Sequence, residues 1–279
     1  MKSLARHFMR NGGAVAGLAL FAVVAALALA APLLYAHSPW MMVGKPMLLP
    51  FADAKFVMGT DMLGRDVMAG LVHGARVSLL VGLVSTAAAL TAGVVIGAVA
   101  GYAGGWLDDA LMAFTEFFQT IPQLVMAVLV VAILSPTLPS IIGAIALVSW
   151  PPVARLVRGE FIALREREFV QAAVVIGQRP WRIIVSQILP NAMSPIIVMG
   201  SFMVATAILT EAALSFLGLG DRNYMSWGFM IGAARGVIRQ SWWLSIGPGV
   251  AILLTVLAIN LIGEGLNDAL NPHLRQRGE

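Results

Sequence analysis

The chain is 279 residues long, 59% hydrophobic and 11% charged, with a mean hydropathy of +0.87; this is far too apolar for an average soluble domain and indicates a polytopic protein of the lipid bilayer. It has no cysteine, which excludes disulfides and thiolate metal sites. The formal charge of +4 is modest and unevenly placed, so nucleic acid is not its best explanation.

The chain opens on Lys2, Arg6 and Arg10, followed by an apolar run from Gly13 to Ala36. A basic start before an apolar stretch also suits a secretory signal, but this run of 24 residues exceeds the roughly 7–15 of a signal core and can span about 30 Å of hydrocarbon. Residues 1–36 are therefore expected to hold a cytoplasmic N-terminus and a first transmembrane helix. Residues 37–76 are polar and broken by Pro39, Pro46 and Pro50, as expected of an extracytoplasmic segment. Asp61 and Asp66 flank Arg65, which offsets a cation site and leaves a turn followed by a helix start as the expectation.

A second span is expected from Val77 to Gly101, with Gly93, Gly97 and Gly101 on one helix face for close packing. Gly104, Gly105, Asp108 and Asp109 read as a short turn. A third span, Ala110 to Leu134, carries Pro122, expected to kink it, and Glu116. A carboxylate within a span is a functional candidate by default, yet Glu116 lies about two turns from the polar end, where it can snorkel or face a partner. Ile141 to Val153 with its flanks is the fourth span; Pro195 to Leu214 is the fifth, with Glu211 near its far end. Asp221 to Trp243 is a second outside segment whose tryptophans are expected to act as interfacial anchors, and Leu244 to Ile262 is the sixth span.

Between the fourth and fifth spans lies the loop 155–191. Its helix formers, with Gly177 at a bend and Pro180 at a new start, predict two short helices. Small Ala172 and Ala173 beside Glu168 and Gln171 suit a knob for a soluble partner as well as an ordinary solvated loop helix. With a cytoplasmic N-terminus the inner segments hold Lys2, Arg6, Arg10, Arg155, Arg158, Arg165, Arg167, Arg179, Arg182, Arg275 and Arg277. The outer ones hold Lys45, Lys55, Arg65, Arg76, Arg222, Arg235 and Arg239. The bias places the loop and the tail 271–279 in the cytoplasm.

Nothing in the chain reads as catalytic. The only Gly-Lys pair is Gly44-Lys45 before Pro46, so there is no phosphate-binding loop. His7, His37, His73 and His273 are scattered without metal-ligand spacing, and neither Gly-x-Ser-x-Gly nor His-Glu-x-x-His occurs.

The order Gln171-Ala172-Ala173, Gly177, Leu189-Pro190 resembles the EAA loop of ABC importer permeases, with Gln171 in place of the usual Glu and Gln187 in place of an Ile. Met58-Gly-Thr-Asp-Met-Leu-Gly-Arg-Asp-Val67, Gly74-Ala-Arg-Val-Ser-Leu79, Thr210-Glu-Ala-Ala-Leu-Ser-Phe-Leu-Gly-Leu-Gly220 and Gly263 to Pro272 are similar to the dipeptide, oligopeptide and nickel branch, over about Phe56 to His273. The resemblance implies an all-α, six-helix, type I importer-like domain over 77–270, acting as the second (C-type) permease subunit in a bacterial inner membrane with both termini cytoplasmic. It implies a heterodimer with a homologous permease, two cytoplasmic ATPases that bind ATP and Mg, an extracytoplasmic binding protein, and no cofactor on this chain. Glu168, Gln171, Ala172, Ala173, Gly177 and Gln178 would couple to the ATPases, with Leu189 and Pro190 fixing the return of the chain. A competing expectation is a proton- or sodium-coupled secondary transporter in which Glu116 and Glu211 titrate.

Overall fold

The computed structural model describes residues 8–270. Lys2, Arg6, Arg275 and Arg277, which enter the charge argument, and His7, His273, Asn271, Pro272 and the rest of the tail lie outside the described residues. The helices are α1 (Gly12–Leu34), α2 (Val67–Ala103), α3 (Gly105–Gln119), α4 (Gln123–Leu134), α5 (Leu138–Arg165), α6 (Glu168–Val175), α7 (Pro180–Ile183), α8 (Leu189–Leu214), α9 (Trp227–Ala234) and α10 (Trp243–Leu270).

Five stretches are long and apolar enough to cross a membrane singly: α1, α2, α5, the continuous run Pro180–Leu219 and α10. The third expected span is not one kinked helix. It is broken between α3 and α4, whose axes differ by 81°. Pro122 has no N–H to donate and disfavours helical backbone at Ile121, so the ladder stops rather than bends. The pair is nonetheless one crossing. Asp108, in the first turn of α3, meets Arg158 near the end of α5, whereas Gln123 at the start of α4 donates to Ser149 at 2.9 Å, midway along it. Leu138 at the start of α5 bonds through its N–H to Asp221 at 2.7 Å on the far side. The broken helix thus runs antiparallel to α5 over its length and completes six crossings.

Several helices run past the sequence expectation: α3 begins at Gly105, so Asp108 and Asp109 are helical and not in a turn, α8 begins at Leu189 and α10 continues to Leu270. At two further boundaries caps and context override composition. Asp66 caps α2 through Met68 N–H at 2.9 Å, so the helix starts at Val67 and takes in what reads as outside segment up to Arg76. At the other boundary α5 continues through Pro151 and Pro152 to Arg165, so Arg155, Arg158 and Arg165 belong to a helix. Asn11 caps α1 and its amide donates to Asp268 at 2.9 Å. The two ends of the described chain therefore meet on one side, as an even number of crossings requires.

The most extensive packing is α2 on α5. A Cβ on Gly93 would lie 2.5 Å from Val153 Cβ, one on Gly97 would run into the Ala154 carbonyl oxygen, and one on Gly101 would lie 2.7 Å from that of Arg158. The three glycines form the groove in which Val153, Val157 and Phe161 are fully buried. Arg158 closes this end, donating through Nε and Nη2 to the two Asp108 oxygens at 2.6 and 2.7 Å. This fork-to-fork pair was not legible in what reads as a Gly-Asp turn. Replacing Arg158 by Met strands a carboxylate whose side chain is 10% exposed. The expected loss is about 3 kcal/mol, the low end for buried pairs because Arg158 is itself 36% exposed; thermal melting in detergent measures it, and Asp108→Asn in the same background restores part of it.

The tryptophans divide. Trp242 is 56% exposed and fits an anchor, but Trp243 is 5% and Trp227 2% exposed. Trp227 donates its ring N–H to the Leu71 carbonyl at 2.9 Å, and Trp243 packs with Val67, Ala234 and Leu244. They are core residues, because α9 folds back onto α2 and α10 instead of lying at an interface.

Candidate functional site

The loop after α5 is a compact helical knob. α6 presents Val170 and Ala173, three residues apart, to the core formed by Phe161, Ile183 and Ile188. Its end is closed by a Schellman motif: Gly177 N–H bonds Val174 O at 2.9 Å and Gln178 N–H bonds Ala173 O at 3.1 Å. Gly177 has φ +80°, a backbone that side chains oppose, so glycine is required for the reversal. Pro180 then opens α7 at its first turn. The return is a π-helical turn, Ile184–Ile188, in which Leu189 N–H reaches Ile184 O. Pro190 follows directly, and the widened turn accommodates the donor it lacks and the clash it would make with the fourth carbonyl back.

Each expected coupling residue has a definite place. Glu168 is exposed in the first turn of α6, Ala172 and Gly177 are exposed, Gln178 is half-buried, Leu189 is half-buried against the core, and Pro190 is exposed. Ala173 is the correction. At 5% exposure it is part of the chain's own core and not free for close approach by a partner, because it shares with Val170 the face that α6 turns inward. Gln171 is exposed and its carboxamide donates to the Arg165 carbonyl at 3.1 Å. A carboxylate could not make that bond, so the departure from Glu holds the knob to the end of α5.

Sequence reasoning missed the tip. Val175 is 86% and Ile176 79% exposed, joined by Val174, Phe169 and Trp181. Isolated apolar surface residues need no explanation, but several within one polar loop are a candidate interaction surface. The signal was present as three consecutive β-branched residues just before a glycine.

The two span carboxylates do not form a pair. Glu116 is exposed on α3, an amphipathic helix. Glu211 is 3% exposed, its Oε1 accepting from Ser215 and Ser226 hydroxyls, both at 2.7 Å. Ser226 Oγ also accepts from Phe229 N–H as the cap of α9. Glu211 therefore fastens the end of α8 to the start of α9. Among the described residues no group of three His, Cys, Asp or Glu is placed to hold a metal.

Six crossings, a buried small-residue seam and a helical knob with apolar side chains exposed at one end define a polytopic membrane protein of the helical-bundle class. The family model described as the binding-protein-dependent transport system inner membrane component matches residues 93–276, and one for the N-terminal domain of oligopeptide transport permease C matches residues 1–50. A di/tripeptide transport system permease protein of Pseudomonas aeruginosa is 39% identical, covering 99% of this chain and 93% of that protein. A dipeptide transport system permease protein of Alkalihalophilus pseudofirmus is 40% identical, covering 97% and 89%. A solved chain of the MetNI methionine ABC transporter in an inward facing conformation has the same fold, with a TM-score of 0.61, 20% identity, and coverage of 74% of this chain and 98% of that one. The chain belongs to the binding-protein-dependent transport system inner membrane component family. The secondary-transporter expectation finds no support: the family works with binding proteins, and the two carboxylates it needed are respectively exposed and held by serines.

Proposed function

We propose that the chain is one permease subunit of an ATP-driven importer that carries short peptides across the bacterial inner membrane. The observation that carries this reading is the knob, with Val175 and Ile176 displayed at its tip while Val170 and Ala173 anchor it. Such an element transmits a rigid-body motion only if it is fixed to the spans on one side and apolar on the other, and α6 is both. Its partner is a cytoplasmic ATPase, which binds ATP and Mg; this chain hydrolyses nothing. The knob, the N-terminus and the C-terminus then lie in the cytoplasm, in accord with the arginine bias.

The complete assembly has a homologous second permease, two ATPases and an extracytoplasmic binding protein. Opening and closing of the ATPase dimer pushes on α6 and α7, and the continuous run from α7 through the π turn into α8 carries the push to the far side. Peptide is the cargo favoured by the full-length similarity to di/tripeptide and dipeptide permeases. Substrate-stimulated ATP hydrolysis tests the reading: the purified complex in nanodiscs hydrolyses ATP several-fold faster with dialanine-loaded binding protein than with unloaded. Hydrolysis indifferent to the loaded protein, across a panel of short peptides, would remove peptide as cargo.

A further inference from the structure

At the end of the spans opposite the knob, a cavity of about 330 Å³ opens between α2, the segment before it and the turn after α8. Its polar lining is Trp40, His73, Arg76, Asn223 and Tyr224, with Leu80 among the apolar residues. Arg76 lies nine residues into α2, about 14 Å from its start. Its side chain is exposed to the cavity, and among the described residues no ion pair or hydrogen bond engages it. No carboxylate lines the cavity. Asp221 on the neighbouring turn is already occupied, accepting from Leu138 N–H at 2.7 Å and Asn223 N–H at 2.8 Å. Asp66 caps α2, and His73 is held by the Tyr35 carbonyl at 3.0 Å.

An exposed guanidinium with no partner of its own is free to take a ligand, and its planar fork matches a carboxylate in two parallel hydrogen bonds. Asn223 and Tyr224 add side-chain donors and acceptors for an amide, and Val77, Leu80 and Leu138 give an apolar wall. The volume is that of a small-molecule site, and its concavity favours a small solute over a protein face. We propose that this cavity receives the C-terminal carboxylate of a short peptide on the far side, with Arg76 as its anchor. The proposal rests on the reading of the cargo as peptide.

The test uses the intact complex with its binding protein, dialanine and dialanine C-terminal amide as probes, and the variants Arg76→Gln and Arg76→Lys. A reporter, Leu80→Cys, sits one turn along α2 on the same face in a chain without cysteines of its own. Arg76→Gln is expected to raise the KM for dialanine about tenfold or more with kcat little changed, to leave the amide unaffected, and to be partly rescued by Arg76→Lys. Dialanine protects the reporter from an impermeant thiol reagent and the amide does not. If the variant changes both probes alike, or neither, the carboxylate site is wrong while peptide transport stands. If it instead weakens capture of the binding protein whatever the cargo, Arg76 is a protein contact and the proposal is wrong. If wild type takes up neither probe, the panel of short peptides decides the cargo reading, and protection of the reporter by propionate, lost in Arg76→Gln, upholds a carboxylate site on its own while no protection overturns it.

Discussion

Changing Val175 and Ile176 together to Asp abolishes peptide uptake and releases the ATPase subunits, while the permease remains folded in the membrane. Both side chains are almost fully exposed at the tip of α6, so neither contributes to the chain's own core. Two charges placed in an apolar contact must be desolvated without partners, and central contacts of this kind are worth about 2 kcal/mol or more each. A combined loss of about 4 kcal/mol weakens ATPase binding roughly a thousandfold. Co-purification of the ATPases with tagged permease measures this, and an unchanged melting temperature of the permease separates lost docking from lost fold. Ala173→Asp is not an equivalent probe. It buries a charge beside Val170 and Ile183, so it would detach α6 from the body before it told anything about the partner.

The second large effect falls on the seam between α2 and α5. Gly97→Leu is expected to cost 3 kcal/mol or more and to prevent the protein accumulating in the membrane, since no rotamer relieves a Cβ that meets the backbone oxygen of Ala154 and lies 2.8 Å from Val157 Cβ. The helices must move apart, and Val153, Val157 and Phe161 then lose their fit. Gly143→Ala, in α5 with open space at its Cβ, is the matched control and is expected to be neutral or slightly stabilising. Yield in membranes and melting temperature in detergent compare the two.

The spans and the knob were legible in the sequence because they rest on local signals. Apolar length located the crossings, glycine periodicity located the seam, and Gly177 with Pro180 located the bend. The break before α4 was only half legible. Pro122 marked a disturbance, but whether a helix kinks or parts depends on α5 offering Trp150 to Phe114 and Phe118, and Ser149 to Gln123. The pairings Arg158 with Asp108, Asn11 with Asp268 and Ser226 with Glu211 span 50, 257 and 15 residues, and no periodicity announces them. Within the knob the misplacement was one of facing. Ala173 is small and was expected to admit a partner, yet smallness serves equally to let α6 sit against its own core. The facing follows from Val170, three residues earlier and fully buried; the outward role passes to Val175 and Ile176.

The central claim is that an ATPase acting on the knob drives transport through the spans, and the measurement that addresses it most directly is the energy source for uptake in proteoliposomes containing the whole complex and its binding protein. The account predicts dialanine uptake that requires ATP on the knob side, survives collapse of proton and sodium gradients, and disappears in the Val175 and Ile176 variant. Uptake by the permeases alone that follows a proton or sodium gradient, and is indifferent to ATP and to those substitutions, would contradict it.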